Sequence, residues 1–463
     1  MAIGTTARPH PSASGPLDHL RGFVRLSDRV AHPPLVFTGG NGVWVHDESG
    51  RPYLEAAAGM WCAAFGFSEG ELVEAAVEQL QALPYYHTLL NRTHGPAEEL
   101  AHLLVSIVPM PAAQIHFTVS GSEATDFAVK FLRYASNASG RTAKKKVIAR
   151  DGGYHGATLG ATSLTGMDRY HQLFDLPLPG FLHTMEPHFY RHAAPGETEA
   201  EFAARLVRAL DELVATEGPE TVAGFVAEPV TGGGGVVIPP TGYYAAVQEV
   251  LHRYDVAFVA DEIITGFGRT GAMFGCESLG IRPDVMTMGK GMSGGYLPIA
   301  AVAVSGRLAE QISAGSDAVG TFAHGATHSG NPVAAAVAVR AIRLMEERAL
   351  LTHVEQVAPL FAARIDRLLD RPCVADVRHI GLMGAVELMA DPSARIAFEP
   401  WGSVAARVSA AALRHGLLLR TAARGDVITF SPPLVIDAGE VDELFDRFEA
   451  ALDDVESELA AGR

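Results

Sequence analysis

The chain has 463 residues with 53 acidic and 36 basic side chains, a net charge of −17, and length enough for a large core in two domains or one composite unit. No basic run goes beyond Lys144–Lys146, which argues against nucleic-acid or anionic-membrane partners, and no apolar stretch is long enough for a spanning helix. The three cysteines, Cys62, Cys276 and Cys373, are too few and too scattered for a disulfide framework or a zinc site, so a soluble enzyme of a reducing, cytoplasmic compartment is expected, with no metal.

Residues 1–16 are rich in Ala, Ser, Thr and Pro, lack an apolar signal core, and read as a flexible tail. Val43–Asp47 and Pro52–Leu54, turned at Glu48-Ser49-Gly50, predict a small β-meander. Helical periodicity runs from Glu69 to about Leu83 and from Pro96 to Val108. Then β and α signals alternate: strand Ile115–Thr118, helix Ala124–Tyr134, strand Lys146–Arg150, helix Thr198–Glu217 and strand Val222–Glu228. Helix Thr241–Tyr254 and strands Ala257–Ala260 and Val285–Thr287 continue the series, which predicts a mostly parallel, helix-covered sheet. After Asn331 the pattern changes. Helices Pro332–Glu347 and Leu351–Leu369, strand Gly384–Met389 and helix Val404–Arg414 lead to a strand pair near Leu417–Leu419 and Val427–Phe430, then helix Ala438–Leu459. The expected organisation is a large domain over 71–331 and a small α+β domain over 332–463, joined by an N-terminal segment, 17–70.

Asp261 closes an apolar strand that runs into a glycine-rich turn, Gly266–Gly271, and Lys290 follows the next strand in Gly289-Lys290-Gly291. Two consecutive strand ends thus present a carboxylate and an amine on one rim. Pyridoxal phosphate chemistry requires such a pair: an amine that condenses with the aldehyde, and an acid that keeps the pyridine nitrogen protonated so the ring draws electrons. Taken singly, Lys290 reads as a solvated loop lysine and Asp261 as a turn or helix cap. The neighbouring motifs decide between the readings. Ser120, Gly121 and Ser122 form a small-residue turn at a helix N-terminus, where phosphate binds, although Ser120 with Glu123 also matches a capping box and the two coexist. Tyr154 and His155 lie just past a strand on the same rim, Tyr154 offering a ring to stack or simply packing at the surface. Glu228 ends the strand unit before Asp261, placed to position a cofactor or amine, or to cap a helix. Thr327, in the polar loop 322–332, either adds a hydroxyl to the phosphate site or belongs to a long connection.

With Gly-Ser-Glu-Ala (121–124), Tyr-His-Gly (154–156), Glu-Pro-Val (228–230), Asp261–Gly271, Gly-Lys-Gly (289–291) and Gly-Leu-Met-Gly-Ala-Val-Glu-Leu (381–388), the chain resembles a class III aminotransferase of fold type I. The resemblance is to the ω-amino acid and amine transaminases and runs from about Leu20 to the C-terminal helix. It implies an α/β large domain with a mostly parallel seven-stranded sheet, a smaller α+β domain, and a pyridoxal 5'-phosphate cofactor. Lys290 would be the Schiff-base lysine and proton carrier, and Asp261 the partner of the pyridine nitrogen. Gly121 and Ser122 would hold the phosphate together with Thr327 of the partner subunit in a homodimer with shared sites, and Tyr154 and Ile263 would cover the two ring faces.

Aliphatic Ile264, where glutamate-linked relatives carry glutamine, and the segments Ala58–Cys62 and Pro239–Tyr243 resemble the pyruvate-dependent group, with Trp61 and Phe23 as pocket residues. Ala326 and His328-Ser329-Gly330-Asn331 depart from the usual pattern, which implies a wider pocket and bulkier or longer amine donors. A carboxylate-binding arginine is expected after Gly416–Leu419: Arg420 fits, and Arg424 competes because the segment is longer than usual. The function implied is ping-pong transfer of an amino group from an amine or ω-amino acid to a keto acid, pyruvate foremost. The alternatives are a 2-oxoglutarate-linked aminotransferase of 4-aminobutyrate or ornithine type, and a lyase or aminomutase of the same fold.

Overall fold

A computed structural model describes residues 19–29 and 33–462, so the tail expected over 1–16 lies outside the described residues. The meander is β1 (Phe37–Asn41), β2 (Trp44–Asp47) and β3 (Pro52–Glu55). A seven-stranded sheet follows from β4 (Gln114–Thr118), β5 (Lys146–Arg150), β6 (Phe181–Thr184), β7 (Val222–Ala227), β8 (Ala257–Asp261), β9 (Val285–Met288) and β10 (Ala300–Val304), in the order β4-β10-β9-β8-β7-β5-β6. Its pairs from β6 to β9 are parallel, while β10 runs antiparallel to both β4 and β9. Strands β7 to β10 are buried at every position, which is why they read as unbroken apolar runs: helices cover both faces. Helix Gly121–Ala138 lies against β4, β7, β9 and β10, and the Glu199–Glu217 helix, started by a Thr198/Glu201 capping box, packs beside Tyr243–Arg253.

The C-terminal part carries β11 (Val374–Ile380), β12 (Met383–Leu388), β13 (Leu417–Leu418), β14 (Arg420–Thr421) and β15 (Val427–Phe430). A small sheet forms in the order β11-β12-β15-β14. The strand pair expected between 417–419 and 427–430 is corrected here. Leu417 and Leu418 instead pair in parallel with Leu54 and Glu55 of β3, and only Arg420 and Thr421 reach β15. Leu417 is fully buried, and its place against the meander leaves the chain two residues later to join the other sheet. One short segment therefore links both small sheets just where Arg420 stands. Strands β1, β6, β10 and β11 and the helix Gly306–Val319 have no counterpart in the expected elements. No described helix is long and apolar enough to cross a membrane.

Parallel order sets the location of the site. Strands pointing one way deliver their following loops to one edge, and the residues after β4, β5, β7, β8 and β9 all emerge there.

Glu55, the last residue of β3, is 8 % exposed and its Oε1 accepts from the Ala57 amide at 2.8 Å. Burial pushes its carboxyl up to about 7. Below its unfolded value the group is protonated in both states and costs nothing. As pH rises towards about 7 the unfolded chain releases the proton first, so stability falls over that window and then levels. At about 1.4 kcal/mol per unit the loss is of the order of 3 kcal/mol. Urea midpoints between pH 5 and 8 should show this downward slope in the wild type and lack it in Glu55→Gln; parallel pH profiles for the two proteins would refute it.

Candidate active site

Asp261 ends β8 with 4 % of its surface exposed. Its Oδ2 lies 2.7 Å from His155 Nδ1, and its Oδ1 accepts from Thr287 Oγ1 at 3.1 Å and the Ile263 amide at 3.2 Å. Thr287 is the residue paired with Asp261 across β8 and β9, so the sheet register itself places that hydroxyl. Each carboxylate oxygen is thereby fixed in direction, and a buried charge needs such partners. Lys290 opens the turn after β9 with φ +43°, a left-handed geometry rare for a side chain with a Cβ. It is half-buried, and desolvation lowers the pKa of its amine, opposed by the charges of Asp261 and Glu228.

Glu228, just beyond β7, is buried; its Oε1 accepts from the Tyr154 amide at 3.0 Å and its Oε2 from the Gly232 amide at 2.9 Å. Burial pushes its carboxyl up, with His155 opposing and Asp261 adding to the shift. Behind it Arg150, the buried end of β5, donates to Tyr244 Oη at 2.9 Å, to Thr231 Oγ1 at 3.1 Å and to the Glu228 carbonyl. Sequence reading passed over Arg150; an arginine closing an otherwise apolar strand was the available signal.

At the other end of the cleft Ser120 caps the helix Gly121–Ala138, its Oγ accepting from the Glu123 amide at 3.2 Å, while Glu123 reaches back to the Val119 amide at 2.9 Å. The amides of Gly121 and Ser122 have no acceptor within the helix, and this end of the helix, the positive end of its dipole, lines the cleft, where an anion would be favoured. Ser122 Oγ accepts from Ala157 N at 2.9 Å, and Gly156, at φ +137°, leaves no room for a Cβ, which would lie 2.6 Å from that oxygen. Gly121 is less tightly constrained: a Cβ there would sit 3.0 Å from Ile263 Cδ1, the end of a side chain that would have to shift. Gly121, Ser122, Tyr154, His155, Glu228, Asp261, Ile263, Ile264 and Lys290 thus share one cleft of about 190 Å³.

The remaining expected residues lie apart. Trp61 is buried, at φ +65°, in a small apolar cluster with Val230, Val236 and Ile264, of which Ile264 lines the cleft. Phe23 is 72 % exposed and meets Tyr170 edge-on at 5.9 Å; Tyr170 in turn lies 5.4 Å from Tyr154, so Phe23 touches the site through a neighbour. Thr327 is exposed and outside the cleft of its own chain. Arg420 Nη1 lies 3.1 Å from Met60 Sδ and, among the described residues, has no carboxylate partner; its charge bears on Tyr154, Tyr170 and Lys290. Arg424 is instead paired with Glu186 Oε2 at 3.1 Å and lines a different hollow of about 680 Å³. Away from the cleft His188 lies beside Asp376 and Glu387, and these two carboxylates are already bonded to Arg191 and Arg378.

The arrangement combines a desolvated amine, a fixed carboxylate about one strand away, a helix N-terminus with free amides, and aromatic and aliphatic lining. The profile of the aminotransferase class-III family matches residues 26–452. A protein of Oryza sativa subsp. japonica named gamma-aminobutyrate transaminase 1, mitochondrial, is 45 % identical over 428 residues, 92 % of this chain and 83 % of that one. Gamma aminobutyrate transaminase 3, chloroplastic, of Solanum lycopersicum is 44 % identical over 92 % of this chain and 82 % of its own. Among solved structures, the omega transaminase from Pseudomonas jessenii in complex with PMP superposes with a TM-score of 0.94 at 42 % identity, covering 96 % of this chain and 98 % of that one. The PMP-bound aminotransferase from Vibrio fluvialis gives 0.93 at 37 % identity over 95 % and 97 %.

Proposed function

This chain belongs to the class-III aminotransferases, and from that premise we propose that it moves the amino group of an amine or ω-amino acid to a keto acid, with pyruvate as the acceptor it takes best. It is a transaminase that works with pyridoxal phosphate. When bound, that cofactor supplies a carbonyl that takes up the donor's nitrogen, an electron-poor ring that holds charge from the donor carbon, and a carrier that hands the nitrogen to the second substrate.

The residues of the cleft fit the group. Lys290 is the amine that bonds it and the base that moves the substrate proton; desolvation favours the neutral, proton-accepting form. Asp261, aligned by His155 and Thr287, is the acid partner of the pyridine nitrogen. Gly121 and Ser122 hold the phosphate at the helix end, and Tyr154 and Ile263 form the walls of the ring slot. Glu228 holds the Tyr154 backbone in place.

One observation carries the acceptor. Arg420, whose charge bears on Tyr154 and Lys290, has no ionic partner among the described residues, and the cleft is lined by aliphatic Ile264. One carboxylate finds a partner there and a second finds none, which favours a monocarboxylic keto acid. We assign the carboxylate contact to Arg420 rather than Arg424, since Arg424 is committed to Glu186. The relatives named for gamma-aminobutyrate make 4-aminobutyrate the donor to try first. A homodimer is part of this reading: Val73, Val77 and Leu80 form an exposed apolar stripe on helix Gly70–Ala82, Leu90 is 81 % exposed, and Thr327 is available to a neighbouring cleft.

Enzyme loaded with pyridoxamine phosphate and offered pyruvate or 2-oxoglutarate should recover the visible absorbance of the pyridoxal form faster with pyruvate. Faster recovery with 2-oxoglutarate would overturn the acceptor and move the protein to the glutamate-linked branch.

A further inference from the structure

Arg420 stands on a strand of two residues, β14, too short to hold a guanidinium in one place by its own ladder. The segment that follows, 421–425, is fastened mainly from outside. Ala422 N donates to Val427 O at 2.9 Å, within the hairpin. Thr421 also pairs with Ile428 there, and further ties come from the sheet side of the molecule: Ala423 N donates to Gly233 O at 3.4 Å, Arg169 Nη1 donates to Ala423 O at 3.0 Å, and Arg191 Nη2 donates to Arg424 O at 3.3 Å. Arg424 completes the set by donating to Glu186 Oε2 at 3.1 Å.

Glu186 is suited to be the fixed end of this clamp. It follows β6, is 3 % exposed, and the same Oε2 lies 3.0 Å from His192 Nε2. Its Oε1 has no hydrogen-bond partner. The absence of a side chain at Gly152 makes room for the carboxyl group. A buried carboxylate with one ligand each from the 188–192 turn and from the 421–425 segment holds those two segments together, and the segment it restrains begins one residue after Arg420. Arg169 belongs to the same turn as Tyr170, whose ring meets Tyr154, so the second tie also runs back to the cleft wall.

We infer that Glu186, acting through Arg424 and supported by Arg169, is a positioning residue that sets the reach of Arg420 and so governs recognition of the substrate carboxylate. The inference rests on the assignment of the carboxylate contact to Arg420. A clamp of this kind acts on one class of substrate only. A keto acid needs Arg420 in register, whereas an uncharged aldehyde accepting the same amino group does not touch it.

The test compares two acceptors on the holoenzyme: the keto acid it takes faster, pyruvate or 2-oxoglutarate, and butanal. In Glu186→Gln the KM for the keto acid should rise about three- to tenfold, as expected for loss of a charged hydrogen bond partly screened by solvent, with kcat and the KM for butanal little changed. Arg169→Gln, which leaves the buried pair intact, should shift the same KM in the same direction by less, and Glu186→Asp should restore part of the loss. Hydrogen exchange of the holoenzyme without substrate should rise across 420–427 in both loosened variants. Equal shifts for keto acid and aldehyde, or no shift for either in both variants, would overturn the clamp if Arg420→Gln still raises the keto-acid KM. If Arg420→Gln leaves that KM unchanged, the assignment of Arg420 itself is wrong and the clamp falls with it. Should Glu186→Gln fail to fold, Arg169→Gln and the exchange data decide.

Discussion

Alanine in place of Lys290 is expected to end catalytic turnover while leaving a folded protein that still binds pyridoxal phosphate. The end of the cleft proposed for the phosphate, at Gly121 and Ser122, and the carboxylate end at Asp261 do not depend on the lysine side chain. What disappears is the amine. Positioned proton transfer contributes about 10²–10⁴-fold by itself, and the loss of the covalent attachment comes on top of it. The backbone at this position supports a local effect: Lys290 already adopts φ +43°, and alanine tolerates that geometry no worse. Steady-state assays with an amine donor and keto acid, alongside a thermal melt and a cofactor titration, make the measurement. Multiple turnovers by Lys290→Ala in the absence of added small amines would sink the assignment.

Asparagine in place of Asp261 is expected to slow both half-reactions by about 10- to 150-fold, the range of a lost hydrogen bond to a charged group, with cofactor retained. The substitution is close to isosteric, so contacts with Thr287, the Ile263 amide and His155 can be largely kept while the negative charge goes. That separates the charge from the scaffold. A donor half-reaction and an acceptor half-reaction share the same ring chemistry, so both should fall together. Near-normal rates in either would contradict the role given to Asp261, and a fall in affinity for the cofactor without a fall in rate would make the residue a binding group only.

Paired effects at Lys290 and Asp261 follow from their common origin in adjacent parallel strands. That relation was legible in the sequence because each strand is an apolar run ending on a polar residue, and parallel strands deliver their ends to one edge. Ser122, Tyr154 and Glu228, each just past a strand, line the same cleft for the same reason. Arg150 also closes a strand, but its burial beneath Glu228 and its bond to the Glu228 carbonyl appear only in the folded chain. Strand β10, Ala300–Val304, is an apolar run like its neighbours, but its antiparallel insertion between β4 and β9 is set by the tertiary structure, since no residue in it marks a direction.

By itself, then, the sequence determined the alternation of strands and helices, the family to which the chain belongs, and the residues that stand at strand ends, because periodicity and short motifs are local properties of the chain. Only the tertiary structure distinguishes the surroundings of Arg420 from those of Arg424, on which the proposed assignment rests. The two differ by four positions and share their residue type, and what separates them is Glu186, more than two hundred residues away in sequence and 3.1 Å away in space from Arg424. The joining of Leu417 to the meander and of Arg420 to β15 belongs with that distinction, since which sheet a two-residue strand enters is set by the packing around it and not by its own side chains.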